Sequence, residues 1–300
     1  MTAVTVLGQG PMGRALTAAL LDAGYRTTVW NRTEANAREM LARGAIWAPS
    51  PAEAVAAGGV TLINVVDHDV VDAVLETAGR ALAGATVIGL SSDTPDRARQ
   101  TAELVDGLGG RYLDGAIMTP TDTIGTPDAR ILLAGPQAVY DTYHPVLDAL
   151  GTSTWLGEDP GRAAAFDMSL LDLFWTAVSG FEHALMMAAA NGIAPRELLP
   201  HALGIVDILA PVFIEIAERI EEDRHDDASA PVSSTAASVR HLVNASRDAG
   251  VDAGALEAFS GYVDAAVAAG HGADEISRIT AEMVQPAAGS PTRKFRWQHV

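Results

Sequence analysis

Thr2-Ala3-Val4-Thr5-Val6-Leu7-Gly8-Gln9-Gly10-Pro11-Met12-Gly13 decides the fold. Thr2–Leu7 is β-branched and apolar, bounded by Gly8, and reads as a strand. Met12–Ala23 then carries helical periodicity and stops at Gly24. Between them the glycines fall in the spacing G-x-G-x-x-G. Gly8 permits a tight turn, Gly10 lets a pyrophosphate approach the backbone, and Gly13 lets helix and strand pack closely. The helix start adds free N–H groups and the positive end of a dipole. At the head of a βαβ unit this pattern points to a dinucleotide, with Gly8, Gln9, Gly10, Pro11 and Met12 as its first candidate contacts.

Working outward, Arg26–Trp30 is a second strand, and Asn31-Arg32-Thr33 follows it. A site selective for NAD places Asp or Glu here, to accept from the ribose 2′-hydroxyl. Asn31 is neutral, Arg32 suits a 2′-phosphate through forked, charge-assisted bonds, and Thr33 adds a hydroxyl. The cofactor reads as NADPH. Val60–Val66 and Ala85–Leu90 are continuous apolar runs, as expected of parallel strands buried on both faces. Val65 and Val66, at the end of the first, and Ser91 and Ser92, just past the second, are further candidate cofactor residues. Helical segments near Val70–Leu82 and Thr94–Leu108 separate the later strands, Arg111–Met118 and Arg130–Ala134. The expected fold class is α/β: a doubly wound, Rossmann-type sheet over residues 1–158.

The second half changes character. Asp159-Pro160 is a helix start, with Asp as cap and Pro in the first turn, and Asn191-Gly192 is a stop. About 30 residues without a breaker make a rod of roughly 45 Å. Phe166, Leu170, Leu171, Phe174, Trp175, Val178, Phe181 and Leu185 occupy nearly every side of it. A helix apolar all round must be buried all round, so a second copy is expected to wrap it as a domain-swapped homodimer. Residues 159–191 thus form a long interdomain helix, and 192–288 an all-helical domain for dimerisation and substrate, with helices near Pro195–Glu221, Pro231–Ala249, Asp252–Ala269 and Ala273–Val284. The acidic run Glu215–Asp227 reads as a solvated helix end and loop. Residues 289–300 form a polar, basic tail.

Composition excludes several classes. A chain of 300 residues suggests about two domains of ~150. A formal charge of −18 disfavours nucleic acid, whose phosphates demand a basic footprint. No run of about 18 uninterrupted apolar residues occurs, so no membrane span is expected. With no basic, apolar leader and no cysteine, a cytoplasmic location is expected, without disulfide or thiolate chemistry. The 8 histidines include no His-x-x-x-His pair, so no metal site is expected. No G-x-S-x-G elbow is present.

Taken together, these residues resemble the imine reductases and reductive aminases, cousins of the β-hydroxyacid dehydrogenases. The family's cofactor pattern is met by Gly8, Gly10, Met12, Gly13, Ala19, Gly24, Trp30, Asn31, Arg32 and Thr33, with Gln9 in place of Leu and Asn36 in place of a basic residue. A second pattern is met at every place by Gly157, Asp159, Gly161, Ala163, Asp167, Ser169 and Leu171. Leu90–Pro95 is similar too, though Asp93 stands where the family usually has Gly. Asp167 falls where β-hydroxyacid dehydrogenases carry lysine and where imine reductases often carry a catalytic Asp or Tyr. The chain's only lysine is Lys294, so a mid-helix lysine mechanism is closed to it.

The resemblance implies hydride transfer from NADPH to an imine, or reductive amination of a carbonyl. A buried carboxyl at Asp167 serves in either of two ways. Protonated, it donates to the imine nitrogen; ionised, it holds an iminium by charge complementarity. Read by itself, Asp167 is rather a buried structural carboxylate hydrogen-bonded to a backbone; the motif match turns the reading toward catalysis. Asp172, five places on and roughly 140° around the helix, is expected on another face. The resemblance also implies a substrate pocket drawn from Met118, Leu171, Trp175, Phe213 and His241. Core packing competes as a reading for Met118 and Trp175, a helix cap for Ser92, and an ordinary surface histidine for His241. Two rivals stand beside this reading: an alcohol oxidoreductase of the β-hydroxyacid dehydrogenase kind, and a non-catalytic NADP(H)-binding sensor.

Overall fold

The computed structural model describes residues 2–284. Its chain divides into two units, Met1–Trp175 and Thr176–Val300, and the division falls inside one long helix. The first unit runs β1 (Val4–Leu7), α1 (Pro11–Asp22), β2 (Thr27–Trp30), α2 (Arg38–Ala42), β3 (Ile46–Trp47), α3 (Pro51–Ala56), β4 (Val60–Ile63), α4 (His68–Ala78), β5 (Thr86–Gly89), α5 (Pro95–Gly107), β6 (Arg111–Ile117), β7 (Arg130–Ala134), α6 (Gln137–Asp148), β8 (Thr152–Trp155) and the start of α7 (Gly161–Ala190). The strands form one sheet in the order β3-β2-β1-β4-β5-β6-β7-β8. Only the β6–β7 pairing is antiparallel. The order reverses between β1 and β4, which is where a doubly wound sheet opens its crevice at the carboxyl ends of the strands.

The sheet has a core on each face, built by the pleat. Val4 and Val6 of β1 join Leu16, Leu20, Val29 and Leu113 on one side. Leu7 and Ile63 join Val71, Leu75, Val87 and Val105 on the other. All four residues of β1, β4 and β5 are buried, as a central parallel strand requires. β4 ends at Ile63 rather than at the expected Val66, and Val66 is 79% exposed in the following loop. The edge strands β3 and β8 and the helices α3 and α6 extend the sequence reading.

α7 covers the expected span, Gly161–Ala190, and Gly192 closes it at φ 76°. The Asp159 carboxylate accepts from the Gly161 amide at 3.0 Å and takes a forked ion pair from Arg99 of α5, Nε at 3.0 Å and Nη2 at 2.8 Å. Arg99 lies so close over Gly161 that a Cβ there would collide with its guanidinium.

Past α7, the second unit holds α8 (Pro195–Glu221), α9 (Val232–Asp248) and α10 (Gly254–Ala268). The expected last helix is instead a 3₁₀ segment, Ile276–Met283. Ile276 and Ile279, three apart, stack on one side in that geometry and pack against Val232, Val263 and Ala266. The acidic run is not merely solvated: it folds around Arg219, which is 7% exposed and donates to Glu215 and to the carbonyls of Asp226 and Asp227. By length and composition α8 is apolar enough to cross a membrane, and none of its most apolar 18 residues is buried in the single chain. The expectation of no such span rested on an unbroken apolar run; Asp207 interrupts this one without removing its overall hydropathy. The expected tail, 289–300, lies outside the described residues, as does 285–288 of the expected helical domain.

Candidate active site

The expected cofactor residues gather at the carboxyl ends of the strands: Gly8 just after β1 with Pro11 and Met12 opening α1, Asn31 after β2, Val65 after β4, Ser91 after β5. A cleft of about 880 Å³ opens there, lined by Gly8, Gly10, Pro11, Met12, Asn31, Arg32, Thr33, Val65 and Val66. Gly8 has φ 99°, and a Cβ on it would meet the Asn64 carbonyl. A Cβ on Gly13 would strike the Gly8 carbonyl, so this glycine sets the helix–strand approach. Gly10 is different: nothing lies within 4 Å of its missing Cβ. It precedes α1 without any side-chain cap, leaving the first-turn N–H groups free for a ligand. An open glycine, uncapped amides and the exposed Arg32 fit the pyrophosphate and 2′-phosphate of NADPH.

Three expected cofactor residues do other work in the structure. Gln9 is wholly buried, its amide nitrogen donating to the Gly8 carbonyl at 3.0 Å and to Thr17 at 3.1 Å. Its side chain braces the glycine turn from behind. Asn31 lines the cleft but also holds the loop, accepting from the Gln9 amide at 2.9 Å and donating to the Thr33 carbonyl at 2.8 Å. Ser91 is buried and its Oγ accepts from the Val65 amide at 2.9 Å, tying the β4 and β5 loops together. The Asn64 side chain also reaches the Leu90 carbonyl.

Asp167 is 2% exposed on α7, among Ala163 and Ala164. Burial raises its pKa above the usual carboxylate value, opposed by a hydrogen bond from Ser92. Ser92 does not cap α5, whose N-cap is Thr94. Asp172 is exposed and on another face. The carboxyl is not alone, however. Asp114 on β6, 2% exposed, is held at a pKa of about 8 by burial, partly offset by bonds from Tyr112 and the Ala164 amide, and raised further by the negative charge of Asp167. The sequence reading missed it because its partners are scattered along the chain; an aspartate inside a buried strand was the available signal.

Of the expected substrate residues, Met118 follows β6, half-buried, its amide bonded to the Arg130 carbonyl at 2.9 Å. Leu171 is half-buried on α7. Trp175 is 62% exposed and meets Phe174 edge-on, with centroids 5.1 Å apart, so core packing within its own chain does not describe it. Phe213 on α8 and His241 on α9 belong to the second unit and are exposed. No cluster of three metal-ligating side chains occurs among the described residues.

Residues 3–157 match the NAD binding domain of 6-phosphogluconate dehydrogenase, and residues 159–285 match the C-terminal domain described as NADPH-dependent reductive aminase-like. An NADPH-dependent reductive aminase of Aspergillus oryzae is 30% identical over 92% of this chain and 95% of its own. An imine reductase of Streptomyces aurantiacus superposes with a TM-score of 0.90 at 35% identity, covering 94% of this chain and 100% of that one. A reductive aminase of Aspergillus terreus, solved with a nicotinamide cofactor, cyclohexanone and allyl amine, gives 0.90 at 31% identity over 94% and 99%. With both halves matched and a 30%-identical relative spanned nearly end to end, the chain belongs to the family of NADPH-dependent imine reductases and reductive aminases.

Proposed function

We propose that this chain reduces C=N bonds of small, mostly apolar imines, and that Asp167 is the carboxyl that partners the substrate nitrogen. The observation that carries the second part is its setting: a buried carboxyl, hydrogen-bonded to Ser92 at the carboxyl end of β5, with no cation among the groups that shift its pKa. NADPH supplies the hydride when bound. Gly8, Gly10 and the first turn of α1 hold its pyrophosphate, and Arg32 and Thr33 its 2′-phosphate. In its protonated form Asp167 donates to the imine nitrogen; in its ionised form it stabilises an iminium in a dry site. Met118, Leu171 and Trp175 supply the apolar wall that selects the substrate. A carbonyl plus an amine is accepted wherever the imine forms before reduction.

The working unit is a homodimer. Leu203, Ile205, Val206 and Ile208 of α8 are each more than half exposed in the single chain, and so are Phe174 and Trp175 of α7. Large apolar side chains left exposed in this number mark an interaction site. Asp207, in the middle of the exposed stretch of α8, favours a protein partner over lipid, because a carboxylate at a bilayer centre costs about 2.5–3.5 kcal/mol. A cytoplasmic location accords with a chain that has no cysteine and draws on NADPH.

The test is NADPH consumption with a simple cyclic imine, wild type beside Asp167→Ala. Loss of turnover with unchanged NADPH affinity is the expected result. Unchanged turnover removes Asp167 from the reaction. NADP⁺ reduction by hydroxy acids, without imine turnover, replaces the reading with that of an alcohol oxidoreductase.

A further inference from the structure

Beneath Ser92 and Asp167 lies a buried polar cluster that the reaction scheme does not use. His68, the first residue of α4, is 0% exposed. Its Nδ1 lies 2.8 Å from Thr101 Oγ1. Thr101 donates its one proton to Asp72 Oδ1 at 2.6 Å, so His68 Nδ1 is the donor in that contact. On the other side of the ring, Nε2 lies 3.2 Å from the Ser91 carbonyl and 3.9 Å from Asp114 Oδ1. Both are acceptors. Tyr112 donates to Asp114 Oδ1 at 3.1 Å, and the Ala164 amide donates to the same carboxyl.

These contacts form two arms. Through the Ala164 amide, Asp114 takes hold of α7 one turn before Asp167. Through the Ser91 carbonyl, His68 takes hold of the loop whose next residue is Ser92. The arms meet where Asp114 faces His68. We infer that Asp114, seated against His68, is a positioning residue for imine reduction: it fixes Asp167 and Ser92 against each other and sets the charge beneath them. This rests on Asp167 being the carboxyl of the reaction.

The groups that face Asp114 are Tyr112 on its own strand, His68 on α4, and Asp167 and the Ala164 amide on α7. Asp93, in the loop before α5, acts on it at longer range. Tyr112 is held well above the ordinary phenol value by burial and by Asp114, so it keeps its proton. Asp114, at about 8, changes charge near neutrality.

The experiment compares wild type, Asp114→Asn and His68→Gln. Each is assayed for kcat and KM with one cyclic imine across pH 6–10, together with NADPH affinity and thermal stability. Asn keeps an acceptor for the Ala164 amide but cannot ionise. Expected is a fall in kcat of at least tenfold in Asp114→Asn, NADPH affinity within twofold, and loss of a step in kcat/KM near pH 8 that wild type shows. Using one substrate cancels the titration of the imine itself. Wild-type kcat and an unchanged pH profile in Asp114→Asn overturn the inference. If Asp114→Asn does not fold, His68→Gln must reproduce the fall in kcat at intact NADPH affinity, and failure to do so overturns it. If wild type reduces no imine, the proposed function has failed. The coupling is then read by carbon-13 NMR of labelled aspartate: an Asp167 carboxyl titration that moves in Asp114→Asn upholds it, and one that does not move sinks it.

Discussion

Ser92, in the loop after β5, hydrogen-bonds the buried carboxyl of Asp167 on α7. The two effects on that carboxyl oppose each other. Burial disfavours the charge and raises the pKa; the Ser92 hydroxyl favours the charge and lowers it. Ser92→Ala therefore lets the pKa rise. If the protonated acid is needed, activity falls at a higher pH than in wild type; if the carboxylate is needed, activity appears at a higher pH. In both cases the midpoint of kcat/KM moves up, and the side of the profile that moves identifies the working form. A pH–rate profile of Ser92→Ala with an unmoved midpoint removes this bond from the site.

Gly10 and Gly13 sit in one motif but differ in what surrounds them. A Cβ on Gly10 meets nothing, whereas one on Gly13 strikes the Gly8 carbonyl. Gly10→Ala is expected to fold with a melting temperature near wild type and to lose NADPH affinity, because the methyl occupies the pyrophosphate approach. Gly13→Ala is expected to lose both. Overpacking of this kind typically costs about 1–3 kcal/mol. Thermal melts with and without NADPH distinguish the two variants.

Arg32 lines the cleft past β2 and is exposed. A hydrogen bond to a charged group contributes about 1.5–3 kcal/mol, so Arg32→Ala should raise the KM for NADPH roughly 10- to 100-fold. The KM for NADH should stay unchanged, since NADH has no 2′-phosphate. Equal loss with both cofactors would place Arg32 elsewhere than the phosphate.

How much of this was legible beforehand follows from where the partners lie. The glycine turn, the second strand and α7 are local patterns, each bounded by its own cap or stop, and they read directly from neighbouring residues. β3 is two residues long and β8 alternates half-buried with exposed, so neither shows the continuous apolar run of a central strand. α6 contains Pro145, which reads as a breaker. Gln9 occupies a motif position that usually suggests a ligand, yet Thr17 one helix away turns it inward. Asp114 escaped because His68 and Ala164 converge on it only through the sheet topology. Ser92 read equally as a cofactor contact and as a helix cap; its bond to Asp167 depends on where α7 lies.

Asp114 also makes stability depend on pH. Its folded pKa of about 8 lies above the ordinary value of 3.8, so the folded state holds a proton that the unfolded chain releases. That contribution is fully present below pH ~4 and is lost as pH rises through 8. The upper limit is on the order of 5 kcal/mol across the window. Asp114→Asn removes the dependence. The melting temperature of the variant relative to wild type should therefore climb between pH 5 and pH 8 and level off above. A constant difference across that range would mean that Asp114 ionises as freely in the fold as outside it.

The exposed residues of α8 lead to the last expectation. Leu203, Ile205, Val206 and Ile208 are 55–60% exposed, and Phe174 and Trp175 of α7 are 55% and 62% exposed. Burying one such side chain fully contributes about 1.5–3 kcal/mol, so a handful covered by a second copy outweighs the cost of association. Light scattering should give twice the mass of one chain at micromolar concentration. Ile205→Glu with Ile208→Glu places two carboxylates on that surface and should shift the mass toward one chain, with imine turnover falling in parallel. NADPH affinity should survive, because the glycine turn and Arg32 lie in the first unit. A monomeric wild type that still turned over imines would show that the apolar surface serves something other than assembly of the site.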